Sequence, residues 1–95
     1  MTATPNKTVP LGQTVMTCGI NAMMGEIGLD VRNAMFRHAK GDWGEVNDED
    51  KASNDAALVD GDRLVSAYTA TNGTKFWIIT ECDRSVTTVL LPEEY

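Results

Sequence analysis

Two groups of side chains in this sequence have the types and spacing to do chemistry. The first is a run of carboxylates: residues 41–62 hold eight acidic residues and one basic residue, Lys51. The whole chain has a net charge of −6, so this run accounts for its acidity. Clustered carboxylates act through long-range fields on positively charged partners. The sequence therefore predicts an acidic partner-binding surface formed by Asp42, Trp43, Glu45, Asp48, Glu49, Asp50 and Asp55.

The second group is a candidate pocket. His38 and Asp42 lie beside a glycine-rich turn, while Glu81, Asp83 and Arg84 follow a predicted strand. An imidazole and two carboxylates could bind a metal ion or act as acid and base. No established ligand spacing joins these residues, and a turn in which Arg84 pairs with a nearby carboxylate explains them as well. We favour the salt-bridged turn.

Trp43 also has two interpretations. Tryptophan is enriched at binding hot spots, so Asp42 and Trp43 could contact a partner together. Alternatively, Gly41 ends a helix, Asp42 caps the turn and Trp43 folds back over the core. The turn chemistry favours the structural interpretation, but the functional one is retained.

Positive signs of an enzyme are absent from the sequence. It has no P-loop, no G-x-G-x-x-G, no G-x-S-x-G and no H-E-x-x-H motif. We therefore predict no catalytic residue, no cofactor and no metal. Cys18 and Cys82 share no C-x-x-C spacing, and we expect them to be buried thiols in a reducing cytoplasm.

The 95 residues are sufficient for one domain, which we place at 11–95 after a flexible arm at 1–10. A net charge of −6 argues against direct binding to nucleic acid or to an anionic membrane, because both require a basic surface. No segment approaches the roughly 20 apolar residues that span a bilayer, and no signal peptide is visible. We expect a cytoplasmic protein.

Three helices are predicted before residue 62. Thr17 should cap a short helix over Gly19–Glu26, and the glycines at 25 and 28 should end it. A second helix should begin at Asp30 and end at Gly41. The third should run from Asn47 or Asp48 to Gly61, with a small buried side formed by Ala52, Ala56 and Val59, and with Ala57 and Leu58 nearby.

The last third of the chain is predicted to be β. Asn72-Gly73 is a strong hairpin signal between the strands at 64–70 and 76–82, and Pro92 ends a third strand at 86–91. We therefore predict an α+β fold, in which an antiparallel meander (63–91) has two or three short helices on one face. The β-prone residues 11–17 could extend this antiparallel sheet to four strands.

Several strings in the chain resemble a known family. They include His-Ala-Lys-Gly-Asp-Trp-Gly at 38–44, Trp-Ile-Ile-Thr-Glu at 77–81 and Thr-Thr-Val-Leu-Leu-Pro-Glu-Glu-Tyr at 87–95. From about residue 11 to 95 the chain resembles small "plasmid-related" proteins of bacterial mobile elements. Mobile elements commonly carry small acidic proteins that block host restriction or CRISPR machinery, and many of these imitate DNA. The resemblance thus implies a counter-defence protein.

Three hypotheses for function follow. The first is an inhibitor or adaptor whose acidic segment binds a basic, nucleic-acid-handling protein of the bacterial host. The second is a small enzyme or ligand-binding domain that uses His38, Asp42, Glu81, Asp83 and Arg84. The third is a structural module that forms a homodimer through an exposed sheet face. We rank them in this order.

Overall fold

The computed structural model describes residues 9–95. Residues 1–8, and with them most of the predicted arm, lie outside the described residues. Val9 already belongs to the core: it is 2% exposed, and its N–H donates to the carbonyl oxygen of Ala39 at 2.7 Å. The elements are β1 (Gln13–Met16), α1 (Cys18–Ala39), α2 (Asp48–Asp60), β2 (Leu64–Thr69), β3 (Lys75–Thr80) and β4 (Val86–Leu90), followed by a 3₁₀ turn (Pro92–Glu94).

α1 is one continuous helix of 22 residues, so the prediction of two separate helices was wrong. Gly25 and Gly28 lie inside it, at a cost of about 1 kcal/mol each relative to alanine. That cost is outweighed because the helix buries one long apolar side against the sheet. Its buried residues are Ile20, Ile27, Val31, Ala34 and His38.

The predicted α+β class is confirmed. β2, β3 and β4 form the antiparallel meander, and β1 adds the fourth strand in the order β1-β4-β3-β2. β1 runs parallel to β4, with Gln13 opposite Val86 and Met16 opposite Val89, so the sheet is mixed rather than wholly antiparallel. A parallel neighbour requires a long connection, and here both helices and two strands lie between β1 and β4 in the chain.

The predicted hairpin at Asn72-Gly73 is confirmed. The Ala70 N–H donates to the Thr74 carbonyl oxygen at 2.8 Å, and Gly73 has a φ of +89°. Glycine adopts this left-handed conformation without strain, which makes it suitable for the turn. The turn sets the register in which Tyr68 lies opposite Phe76 on the helix-covered face.

The core lies between the two helices and one face of the sheet. Its larger cluster joins α1 to the strands and consists of Ile20, Ile27, Val31, Ala34, Tyr68, Ala70, Phe76, Ile78 and Val89. A smaller cluster under α2 consists of Val9, Trp43, Ala57 and Leu64. Both helices therefore cover the same face, as predicted.

The two cysteines are free and exposed, so their predicted burial was wrong. Cys18 is the first residue of α1, and Cys82 lies in the turn between β3 and β4. Both are at the ends of elements, where side chains project away from the core.

Candidate acidic binding surface

α2 carries most of the acidic residues, and its two ends follow from local sequence. Asn47 is the N-cap, and its side-chain oxygen accepts a hydrogen bond from the Asp50 N–H at 2.8 Å. Asp48, Glu49 and Asp50 fill the first turn, where the helix dipole favours negative charge. Gly61 ends the helix with a φ of +79°, which glycine tolerates.

The side of α2 that faces the protein differs from the predicted one. We predicted burial of Ala52, Ala56 and Val59, yet Val59 is 86% exposed and both alanines are exposed as well. The buried residues are Asn54 and Ala57, at 5% and 4% exposure, and Leu58 is partly buried. Ala57 and Leu58 were predicted to lie near the buried side, whereas Asn54 was not. The prediction failed because it assumed that the buried side must be the apolar one.

Asn54 is buried because it completes the edge of the sheet. Its Nδ2 donates to the Val65 carbonyl oxygen at 2.8 Å, and its Oδ1 accepts from the Val65 N–H at 3.1 Å. Ala67, two residues further along β2, is paired in the same way. The Ala67 N–H donates to the carbonyl oxygen of Trp43, and the Ala67 carbonyl oxygen accepts a hydrogen bond from the Glu45 N–H. The backbone groups that an edge strand leaves unpaired are thus occupied at these two positions.

Arg84 holds the other end of α2. Its guanidinium donates to the carbonyl oxygens of Ala57 at 3.0 Å, Asp62 at 2.6 Å and Glu81 at 3.2 Å. We predicted a carboxylate partner, so that detail was wrong: Arg84 binds backbone carbonyl groups at the C-terminal end of α2, just beyond it and in its own turn. Its own φ of +62° is strained for a residue other than glycine, and these three bonds compensate for the strain.

Asp42 is tied to the end of α1. Its carboxylate accepts hydrogen bonds from Arg37 at 2.8 and 3.3 Å and from the Gly44 N–H at 3.1 Å. The hydrogen bond from Arg37 is the main cause that lowers the pKa of Asp42. Both side chains are about half exposed (51% and 52%), so the pair stabilises the fold by less than about 1 kcal/mol. The charge of Asp42 is therefore neutralised locally.

Trp43 lies in the core, at 3% exposure. Its Nε1 donates to the Asp55 carboxylate at 3.0 Å, and its ring meets His38 edge-on with the centroids 5.6 Å apart. The structural interpretation of Trp43 is the one that the burial supports, because the ring is not accessible to a partner. Glu45, another predicted site residue, accepts a hydrogen bond from the Thr69 hydroxyl at 2.8 Å.

The remaining acidic residues of the segment are exposed on α2 and at its ends. Asp48, Glu49 and Asp50 were named as site residues, whereas Asp60 and Asp62 were counted in the acidic run but not named among the site residues. Within residues 9–95, the side chains of these five form no salt bridge or hydrogen bond. The dipole of α2 explains the first three, but Asp60 lies at its negative end, where an acidic residue is unfavourable. That violation is the sequence signal that could have identified it.

The outward side of α2 is an apolar stripe bordered by carboxylates. Residues four and seven apart lie on the same side of a helix, so Ala52, Ala56 and Val59 form the stripe. Asp48 and Asp55 border it on one side, and Glu49 and Asp60 on the other. Such a surface can attract a basic partner and still allow close approach at its centre.

His38 is inside the protein, at 0% exposure. Its Nδ1 bonds to the Ser66 hydroxyl, and its Nε2 bonds to the Thr80 hydroxyl at 2.8 Å. The hydroxyl of Thr80 bonds in turn to that of Thr87, which donates to the carbonyl oxygen of Leu11. Burial, assisted by the positive charge of Arg84, lowers the pKa of His38 to about 4. With both nitrogens engaged by hydroxyl groups, the imidazole is a structural, neutral group.

The other candidate pocket residues serve turns. The Asp83 carboxylate accepts hydrogen bonds from the hydroxyl and N–H of Ser85, which lower the pKa of Asp83. Glu81 is partly buried beside Arg84. Among the described residues, no three histidine, cysteine or acidic side chains are grouped to hold a metal ion.

A groove of about 540 Å³ lies between α2 and β2. It is lined by Val46, Asp50, Ser53, Asn54, Asp62, Arg63 and Val65. None of the five candidate pocket residues lines it. The groove instead adjoins the acidic side of the molecule, through Asp50 and Asp62.

No family model matches the chain, and neither a curated protein nor a solved structure matches it significantly. Over residues 9–95, no helix combines the length and the hydropathy needed to cross a bilayer.

Proposed function

We propose that this protein is a non-enzymatic inhibitor or adaptor that binds the basic surface of a nucleic-acid-handling protein through the acidic residues on α2 and just beyond its end. The proposal rests on the exposure of five acidic side chains, those of Asp48, Glu49, Asp50, Asp60 and Asp62. These side chains are exposed, and no described cation neutralises them. Opposite charge on a partner would accelerate association and make the complex sensitive to salt.

The acidic residues are displayed on a fixed support. Asn54 binds the middle of α2 to β2, and Arg84 binds its C-terminal end. A fixed arrangement of charges lowers the entropy that must be lost on binding. The exposed stripe of Ala52, Ala56 and Val59 allows the partner to approach the helix axis closely.

The spacing of the charges suits a surface that otherwise binds DNA. From Asp48 to Asp60 the helix rises about 18 Å, at about 1.5 Å per residue. One DNA strand places a phosphate about every 3.4 Å along the axis, so α2 corresponds in length to about five nucleotides. A basic groove that neutralises phosphates could accept these carboxylates instead.

The biological setting follows from the resemblance to mobile-element proteins. A host restriction or CRISPR complex has the required basic groove, and blocking it would protect the element. This assignment places the protein in the bacterial cytoplasm and gives it no direct contact with nucleic acid or membrane, since both would be repelled by its negative charge.

The proposal is tested by affinity capture from a bacterial lysate with a charge-neutralised variant. Glu49→Gln combined with Asp60→Asn removes two charges from one border of the stripe. Glu26→Gln combined with Glu93→Gln removes the same charge elsewhere and is the matched control. We expect basic nucleic-acid-binding proteins to be captured by wild type and by the control, and at least about tenfold less by the α2 variant.

Two further measurements, at different salt concentrations and with competing DNA, make the test decisive. Capture should fall when salt rises from about 50 mM to about 500 mM, and added duplex DNA should compete with the protein. Equal capture by wild type and the α2 variant, or capture that ignores both salt and DNA, would overturn the proposal. Raised transformation of a restricting host by unmodified DNA would identify counter-defence as the role.

A further inference from the structure

The sheet has a second face that neither helix covers. Side chains alternate between faces along a strand, and Phe76, Ile78 and Val89 point to α1. The strand pairing assigns the alternate residues to the outer face. These are Gln13, Val15, Val65, Ala67, Thr69, Lys75, Trp77, Ile79, Val86, Thr88 and Leu90. Ile79 and Leu90 are buried by neighbouring side chains of the chain itself, at 4% and 5% exposure, whereas the other apolar residues of this face are partly exposed.

The middle of this outer face is apolar, whereas Gln13, Thr69 and Lys75 lie at its margins. A sheet covered on one side normally presents polar side chains to solvent on the other. Here two rungs cross β2, β3 and β4: Val65–Ile79–Thr88 and Ala67–Trp77–Leu90. Val65, Ala67 and Trp77 are partly exposed neighbours in these rungs. Single exposed apolar residues need no explanation, but a group of neighbouring ones marks an interaction surface.

The C-terminal residue adds a second aromatic ring to this face. The Tyr95 ring meets Trp77 edge-on, with the centroids 5.5 Å apart, and the Arg63 guanidinium lies 5.6 Å from the Tyr95 centroid. Tyr95 is itself 67% exposed. The tyrosine therefore extends the apolar patch outward, and aromatic side chains are the residues that interfaces favour.

Charges occur only at the two ends of the strands, and they are arranged in opposite pairs. Lys75 begins β3 and Glu81 follows its end, where the Glu81 N–H continues the ladder to Val86. Both lie at alternate positions with Trp77 and Ile79, so they are on the same outer face of the sheet. The central strand of the outer face thus has a positive end, an apolar middle and a negative end.

β2 likewise has a positive charge at its start and a negative charge at its end. Arg63 precedes the strand, and the Glu45 carboxylate is held at its far end by the hydroxyl of Thr69. Because β2 and β3 are antiparallel, each end of the face has one positive and one negative charge. The border of the face has no net charge, in contrast to α2.

We propose that the outer face is a homodimer interface, in which two copies of this chain pack face to face with their β3 strands antiparallel. This two-fold arrangement places Lys75 of each copy opposite Glu81 of the other, and Arg63 opposite Glu45. The apolar rungs and the Trp77–Tyr95 pairs meet at the centre. The dimer has four layers, helix–sheet–sheet–helix, and its acidic α2 helices face outward on both sides.

The charge pattern favours a second copy over a foreign partner. A strongly basic or acidic partner would require one sign of charge on this face, and both signs occur in equal number. An isologous interface must be complementary to itself, and reversal of the strands satisfies that condition here. Sheets packed in this manner keep their strands within about 30° of alignment.

The size of the patch sets the expected affinity. Four strands about 4.8 Å apart and about 17 Å long give a footprint of a few hundred Å² per copy. Stable interfaces bury about 800 Å² per partner, so this dimer belongs to the weaker class. We expect dissociation constants in the range of about 1–100 μM.

Sedimentation equilibrium of the whole chain tests the proposal, using two charge reversals. Lys75→Glu places like charges together in its own homodimer, as does Glu81→Lys. Mixed in equal amounts, the two variants form a heterodimer in which both pairs are again opposite. We expect wild type to dimerise, each variant alone to dissociate at least about tenfold more readily, and the mixture to recover dimerisation.

Glu26→Lys, an exposed reversal on α1, is the control and should dimerise somewhat more readily than wild type, because it lowers the net negative charge. Recovery in the mixture also excludes misfolding as the cause of the loss, since misfolded chains would not complement one another. A wild-type chain that stays monomeric to about 1 mM would overturn the proposal. So would variants that dimerise as wild type does, or a mixture that remains monomeric.

Discussion

The two helices are attached to the same sheet by different kinds of contact. α1 buries Ile20, Ile27 and Val31 among the apolar side chains of the strands. α2 buries only Asn54 and Ala57, and it depends on hydrogen bonds from side chains to backbone at its middle and at its C-terminal end. α1 is therefore part of the main core, whereas α2 is attached to the sheet by a small apolar contact at Ala57 and by a few hydrogen bonds.

The two helices also differ in the caps and charges at their ends. The N-terminus of α1 is capped by Thr17 and by the Glu94 carboxylate, which accepts from the Gly19 N–H at 3.0 Å. Basic residues occupy its last turn, as its dipole favours. α2 has acidic residues at both ends and no basic residue in its last turn. Charge in α1 stabilises the helix, while part of the charge in α2 opposes it.

The largest expected effect is in the buried side of α1. Ile27→Ala should lower the free energy of unfolding by about 2–5 kcal/mol, because a fully buried side chain is replaced by a cavity. Leu29→Ala removes a similar volume from the same helix at a position that is 69% exposed, and it should cost less than about 1 kcal/mol. Urea unfolding measures both.

Equal losses in the two variants would contradict the assignment of α1 to the core. They would mean that the buried Ile27 contributes no more to stability than the exposed Leu29. The m-value should remain unchanged, since neither substitution alters the surface exposed on unfolding.

The second effect is a dependence of stability on pH that originates at the end of α1. The folded protein keeps the pKa of His38 at about 4, below its ordinary value of 6.5. Above pH 6.5 the imidazole is mostly neutral in both the folded and the unfolded protein, so its titration costs no stability. As the pH falls toward 4, the unfolded chain binds a proton that the folded protein excludes, so stability falls by about 2 kcal/mol between about pH 7 and pH 5.

The chain has one histidine, so this window belongs to a single group. Asp42, Asp83 and Glu94 also have lowered pKa values, but a carboxylate loses its contribution only as the pH falls further, toward and below its unfolded pKa. Urea midpoints compared across the range, with the imidazole proton signals followed by NMR, provide the measurement. A flat profile from about pH 7 to pH 5 would show that His38 can be protonated without loss of the fold.

The features that could be predicted from sequence are those that neighbouring residues determine. The Asn72-Gly73 turn, the Gly61 helix end and the Asn47 cap each depend on a few adjacent positions, and all three were found. The acidic first turn of α2 is local in the same way. Three of the exposed carboxylates were identified on that basis.

The features that could not be predicted depend on distant residues. β1 runs parallel to β4 because of the whole intervening topology, and α1 continues through Gly25 because its buried side reaches the sheet on both sides of that glycine. Asn54 resembles any exposed polar residue of a helix until Val65 is placed beside it. The location of Trp43 in the core likewise requires its partners, so its interpretation remained open.

The third expected effect concerns how α2 is fixed to the sheet. Asn54→Ala should lower the free energy of unfolding by about 1–3 kcal/mol, because it leaves the N–H and the carbonyl oxygen of Val65 without partners at the edge of β2. Local opening should follow, so the Val65 amide should exchange its hydrogen faster than those of β3. Urea unfolding and hydrogen exchange measure the two consequences.

Val59→Ala on the same helix is the matched control, and it also decides which side of α2 is buried. With Val59 at 86% exposure the substitution should be neutral or should stabilise by up to about 0.5 kcal/mol, since alanine has the higher helical propensity. If instead Val59→Ala destabilised the protein and Asn54→Ala did not, α2 would pack on its apolar stripe. Its carboxylates would then be turned toward the sheet, and the acidic binding surface would not exist.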